Sequence, residues 1–153
     1  MKPDPKLNRI APDEMPDDIA SAWTRSMDLR GDATFFEVFA NHPELYRWYV
    51  NQFYGDVFRG GKVAQRYKEL LRLRLSTLHG CRFCNQGNRL DALEAGLTEA
   101  QIAAFDRPES GPFTPAELAV LALGAELALT QPAGILSEAL HTQLAAHFDD
   151  AQK

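Results

Sequence analysis

Residues 62–78, KVAQRYKELLRLRLSTL, carry Val63, Tyr67, Leu70, Leu71, Leu75 and Leu78 at three-to-four-residue spacing. Side chains so spaced fall on one face of a 3.6-residue helix, and the pattern predicts an amphipathic α-helix. Nowhere does the chain supply the competing signal, a sustained period-two alternation of β-branched residues. The predicted fold class is therefore all-α, and at 153 residues with 45% hydrophobic content the chain can build one compact domain with its own core.

Capping and breaking residues place the other helices. Asp17 or Asp18 can cap a helix over 17–29 that Gly31 and Asp32 break, and a short helix is predicted over 34–40. Pro43 suits a first helical turn, and that helix should run to Phe58 before Gly60 and Gly61. His79 and Gly80 stop the 62–78 helix. Another is predicted over 82–95 with Gly96 as its end, and Thr98 with Gln101 forms a capping box for a shorter one. Thr114, Pro115 and Glu117 open a helix to about Thr130, followed by a loop over 131–136 and a helical segment over 137–148. Residues 1–16, with Pro3, Pro5, Pro12 and Pro16 among charges, read as an extended arm over the surface, ahead of a helical domain at 17–153. Asp149, Asp150, Ala151 and Gln152 have the form of a capping box with no helix after it, so the domain is expected to be cut where a final helix should begin.

A net charge of −5 and a pI near 5.3 argue against nucleic acid or an anionic membrane surface as partner, since both need clustered Lys and Arg. The opening MKPDPKLNRIAPDEMPDD holds no signal-peptide core, and the longest apolar run, 116–129, is interrupted by Glu117 and Glu126. A cytoplasmic location is expected. Nine of the fifteen aromatic residues lie between Phe35 and Phe58 on more than one helical face. Such residues either bury within the domain or form a subunit interface, and both can hold here.

Both cysteines, Cys81 and Cys84, lie in LHGCRFCNQGN, in what should be the first turn of a helix. Three residues apart, they share a face. Unpaired backbone N–H groups and the positive end of the helix dipole favour thiolate over thiol there, and Arg82 adds a positive charge. A thiolate beside a second thiol can attack a peroxide or a disulfide, and its neighbour can resolve the product. In a reducing compartment a purely structural disulfide is not expected to persist. Zinc would need two further ligands from His42, His79, His141 and His147, and none has a usual spacing. Two buried cysteines acting as small hydrophobes are a third reading. The all-α pattern removes a thioredoxin-like reading, which needs a βαβ context.

Glu69, eleven intervening residues, then Cys81-Arg82-Phe83-Cys84 resembles the Glu-x11-Cys-x2-Cys motif of the carboxymuconolactone decarboxylase-like superfamily, in its alkyl hydroperoxidase D branch. The similarity runs over about 43–150, including FTPAELAVLALGAELALT and LHTQLAAHFDDAQ, and members of that family normally continue through another helix. The resemblance implies an all-α, single-domain helical bundle of the alkyl hydroperoxidase D-like type, homo-oligomeric, acting as a peroxidase or disulfide reductase. By the same resemblance Cys84 would be the peroxidatic thiol, Cys81 the resolving thiol and proton donor, and Glu69 the base of a proton relay. It further implies a hydroperoxide substrate and a dithiol reductant such as a lipoyl-bearing protein, and no flavin or haem. The family's relay usually has a His four residues after the second Cys. Asn88 stands there, and Asn can hold a water or a carboxylate but cannot shuttle a proton near neutral pH. His79, two residues before Cys81, could supply the imidazole if the turn brings its ring back.

Taken locally, Glu69 sits one turn from Arg66 and Arg72 and would be a surface ion-pairing residue; His147, near a helix C-terminus, is explained by the dipole there. Two other functions remain open. One is a decarboxylase-like acid–base enzyme of the same superfamily, and the other is a redox-sensing helical module that kept the thiols without turnover. No glycine-rich phosphate loop or serine-nucleophile motif is present.

Overall fold

A computed structural model describes residues 6–129 and 136–153. Pro3 and Pro5, the expected helix end at Thr130 and residues 131–135 of the expected loop lie outside them. All regular structure in the described residues is helical, which agrees with the all-α expectation. No helix among them is long and apolar enough to cross a membrane. The chain divides into two compact units, 1–59 and 60–153.

The first unit holds α1 (Asp17–Arg30), α2 (Thr34–Phe39), α3 (Pro43–Trp48) and a π-helix (Tyr49–Phe58). The N-cap of α1 is Pro16, with no side-chain cap, so Asp17 and Asp18 are its first helical residues rather than its cap. There they still favour the positive end of the helix dipole. Gly31, at φ 62°, ends the helix in the left-handed conformation. Met15, Ile19, Ala22, Ala40 and Tyr46 form a small buried cluster with Ile10 packed on it, so the last part of the segment expected to run over the surface is packed. Ile10 N–H donates to the Glu37 carbonyl at 3.0 Å, and a 3₁₀ turn at Pro12–Glu14 leads into α1. Arg47 holds Asp18 with two hydrogen bonds of 2.9 and 3.2 Å, fastening α3 to α1. That guanidinium keeps the Asp18 carboxyl below its ordinary pKa.

The segment after Trp48 was expected as a continuation of α3. It is instead wound as a π-helix, with the Arg59 N–H donating to the Tyr54 carbonyl five residues back. The aromatic spacing gives a physical reason. Tyr49 and Tyr54 are five apart, and the wider turn brings their rings to 4.9 Å edge-to-face. Phe35, Phe39 and Tyr49 pack together beside them.

The second unit holds α4 (Gln65–Leu78), α5 (Arg82–Glu94), α6 (Glu99–Ala103), α7 (Pro115–Leu129) and α8 (Glu138–Ala145). Helix α4 is central, packing on both α5 and α7, and α7 packs on α8. Leu70 and Leu73 from its apolar face meet Ala92, Leu97, Phe105, Val120, Leu121 and Leu144 in the core. Both predicted capping boxes form. Thr98 and Gln101 bond reciprocally at the start of α6, and at α7 the Thr114 N–H donates to Glu117 at 2.8 Å while the Glu117 N–H donates to the Thr114 hydroxyl at 3.3 Å. The Asp149–Gln152 box also closes: Asp149 Oδ1 accepts from the N–H groups of Ala151 and Gln152, and Gln152 Oε1 accepts from the Asp149 N–H.

A polar hub around the buried Glu117 and Gln101 joins three of these helices, α4, α6 and α7, to the turn that follows α5. Arg66 Nε donates to Glu117 Oε1 at 2.6 Å, Nη2 to Gln101 Oε1 at 2.9 Å, and Nη1 to the Gly96 carbonyl. Burial alone would raise the Glu117 pKa. Hydrogen bonds from the Thr114 backbone and from Arg66, with the latter's charge, outweigh that and hold it below the ordinary glutamate value.

Candidate active site

The turn from α4 to α5 determines where the cysteines stand. His79 is the C-cap of α4, and Gly80 follows at φ 65°. The Gly80 N–H donates to the Thr77 carbonyl and the Cys81 N–H to the Ser76 carbonyl, both at 3.0 Å. These are the two bonds of a Schellman ending, and it needs a residue that tolerates positive φ. Cys81 is then already the N-cap of α5. Its Sγ accepts from the Cys84 N–H at 3.3 Å, so the sulfur takes the position that a serine hydroxyl takes in an ordinary cap. Cys81 and Cys84 are joined as a disulfide with their Cα atoms 5.3 Å apart. Both are half-buried.

Glu69 lies on α4 and is only 4% exposed, unlike the surface residue that its local spacing suggests. Its expected ion pair with Arg72 is present at 2.6 Å, and Gln65 Nε2 donates to its other oxygen at 2.8 Å. Arg66 turns to Glu117 instead. Arg72 also pairs with Asp91, so one guanidinium bridges a buried carboxylate of α4 and a half-exposed carboxylate of α5. Asn88 is half-buried on α5, and its Nδ2 donates at 3.5 Å to the Arg72 carbonyl. Glu69, Arg72, Asn88 and Asp91 are thus one connected polar cluster. Among the described residues, the partners of the Glu69 carboxylate are Gln65 and Arg72, and neither cysteine is among them. Asn85, one residue after Cys84, has its Oδ1 buried with no hydrogen-bond partner among the described residues.

His79 is exposed, and no side-chain hydrogen bond ties it to the cysteine pair. His42 has a local task that its sequence context did not reveal: its Nδ1 accepts from the Leu45 N–H at 3.4 Å as the N-cap of α3. His141 and His147 are exposed on and after α8. Among the described residues no group of three or more His, Cys, Asp or Glu could hold a metal ion. Sequence reading missed Gln65 and Asp91. The four-residue spacing of Gln65 to Glu69 was visible, but the pairing of Asp91 with Arg72 requires the antiparallel register of α4 and α5.

In an 86-residue stretch, 56% of this chain and 58% of the relative, the chain is 30% identical to an uncharacterized protein, YdfG, of Bacillus subtilis (strain 168). It therefore spans less than two thirds of the length of that protein. A model of the carboxymuconolactone decarboxylase family matches residues 43–126, from the start of α3 through most of α7, with Glu69, Cys81, Cys84 and Asn88 inside the match. That match takes in more than half of the sequence, and the chain belongs to the carboxymuconolactone decarboxylase family.

Proposed function

We propose that this protein is a cytoplasmic, self-associating thiol peroxidase of the alkyl hydroperoxidase D-like branch, reducing hydroperoxides at Cys84 and Cys81. The Cys84 thiolate attacks the outer peroxide oxygen; the O–O bond breaks, the alkoxide leaves and takes a proton to become an alcohol, and Cys84 becomes a sulfenic acid. The Cys81 thiol attacks that sulfur, water leaves, and the disulfide forms. A dithiol donor, for which a lipoyl-bearing protein is suitable, reduces the disulfide and becomes one itself, so two electrons pass from donor to peroxide.

What supports this reading most is the placement of a bridgeable pair at N-cap and N3 of α5. There the helix N-terminus favours an anionic sulfur, and the partner sulfur lies within bonding reach. Glu69 serves as the base that takes the thiol proton, held by Gln65 and Arg72. Asn88 is a positioning residue that ties α5 to α4 through the Arg72 carbonyl. A decarboxylase-type reaction would leave the dithiol without a role.

The test is steady-state reduction of an organic hydroperoxide with dihydrolipoamide as donor. Sustained turnover that Cys84→Ser abolishes supports the peroxidase. A single oxidation equivalent with no recycling by any dithiol would make the protein a sensor instead.

A further inference from the structure

We propose that Asp91 is a positioning residue for the proton step at Glu69, acting through Arg72, a role that rests on Glu69 being the thiol base as given above. One guanidinium nitrogen, Arg72 Nη2, meets Glu69 Oε2 on its own helix at 2.6 Å and also reaches Asp91 Oδ2 across on α5. Burial falls off along the three side chains, which are 6% exposed for Glu69, 19% for Arg72 and 43% for Asp91. Neighbours fix the arrangement. Gln65 Nε2 donates to Glu69 Oε1 at 2.8 Å, and Asn88, three residues before Asp91, donates to the Arg72 carbonyl at 3.5 Å. All five residues lie within the second unit.

The balance of charge shows what Asp91 adds. As a base, Glu69 takes the proton of the Cys84 thiol, which leaves a thiolate on Cys84 and a neutral carboxylic acid on α4. That step takes the buried counter-charge away from a guanidinium that is itself mostly out of water, and depriving such a cation of its partner is costly. Asp91 keeps a negative charge on Arg72 throughout. Before the transfer Glu69, Arg72 and Asp91 together carry a single net negative charge, and after it the Arg72–Asp91 ion pair remains and the cluster is neutral. Without the Asp91 charge the same transfer would turn a neutral pair into a net cation, so Glu69 would be held in its ionised form by Arg72 and would resist the proton. Arginine suits the place, because its planar fork of donors can serve two carboxylates at once and it stays charged at any pH at which a thiol works.

The test is a double-mutant cycle that needs no turnover. The reduced chain is alkylated with iodoacetamide at neutral pH, and the rate at Cys84 is followed by mass spectrometry of its peptide, since the thiolate is the reacting form. Asp91→Asn should slow this reaction by about tenfold, a coupling of the size expected between residues of one ion-pair network. In the Glu69→Gln background the same substitution should change it by less than about twofold, because the base through which Asp91 acts is gone. Asp91→Glu should return the rate to within about threefold of wild type. Glu94→Gln, which removes the same charge from an exposed position one turn farther along α5, should leave it unchanged. Circular dichroism checks that each variant is folded. An Asp91→Asn rate within about twofold of wild type, or a loss of equal size in both backgrounds, would overturn the role. The peroxide assay decides the other reading separately: this coupling without peroxide turnover removes the peroxidase and keeps the role of Asp91, and turnover without the coupling does the reverse.

Discussion

Glu69 and Arg72, one turn apart on α4, form an ion pair of 2.6 Å in which the carboxylate is almost wholly buried and the guanidinium also reaches Asp91. Removing the Glu69 charge therefore leaves Arg72 with one acidic partner. Glu69→Gln should cost roughly 2 kcal/mol of stability, because the amide keeps the volume but sets its NH2 against one of the two donors, Gln65 and Arg72, that the carboxylate accepts from. Peroxide reduction should fall by about 100-fold, the scale of a lost general base. The pH profile separates the two roles: if Glu69 takes the proton, the variant rate rises with hydroxide concentration where the wild-type rate is flat.

His79 is exposed at the end of α4, and its ring makes no bond to the cysteine turn. His79→Ala should leave turnover within about threefold of wild type, since general acid–base groups contribute 100-fold or more. A loss of that larger size would make His79 the imidazole that Asn88 cannot be.

Glu117 gives the fold a definite acid limit. Its folded pKa lies below the ordinary value of 4.5, so the unfolded chain binds the extra proton. Its contribution is complete above pH 4.5 and is lost as the pH falls through the lowered folded value. Glu117→Gln should cost roughly 2 kcal/mol near neutrality by urea denaturation, below the range for a fully buried pair because Arg66 is 31% exposed. The variant's stability should also change less with pH between 5 and 3 than that of wild type, as measured by denaturation across that interval.

Gly80 holds the turn that presents the dithiol. A Cβ there meets nothing within 4 Å, so the cost of Gly80→Ala comes from φ 65° alone and should be about 1 kcal/mol. Gly80→Asn should cost less, as Asn tolerates the left-handed region. Denaturation midpoints of the two variants check the order.

Reduction of the disulfide should destabilise the fold by at most about 2 kcal/mol, because so small a loop restrains the unfolded chain little. Chemical denaturation with and without reductant measures it.

Helix positions were legible wherever a local signal sufficed. The stops at Gly31, Gly80 and Gly96 and the boxes at Thr98 and Thr114 depend on residues within a few positions, and all appear in the structure. The winding after Trp48 did not show, because apolar residues three to five apart fit an α- or a π-helix about equally. Within the candidate site, the cysteine turn followed from Gly80 and the N-terminal position of Cys81. The burial of Glu69 did not: charged neighbours at Arg66 and Arg72 look the same on a solvated face, and only the packing of α4 against α5 and α7 assigns Arg72 to Glu69 and Arg66 to Glu117.

One oxidation decides whether Cys81 and Cys84 are a working redox pair. The reduced chain is mixed at neutral pH with one equivalent of an organic hydroperoxide, and its thiols and mass are followed by alkylation and mass spectrometry. A working pair should show rapid loss of both thiols, a mass lower by the two hydrogens of the dithiol, a Cys81–Cys84 peptide link, and no peroxide consumption by Cys84→Ser. Two thiols that remain alkylatable after the peroxide has been added would contradict it.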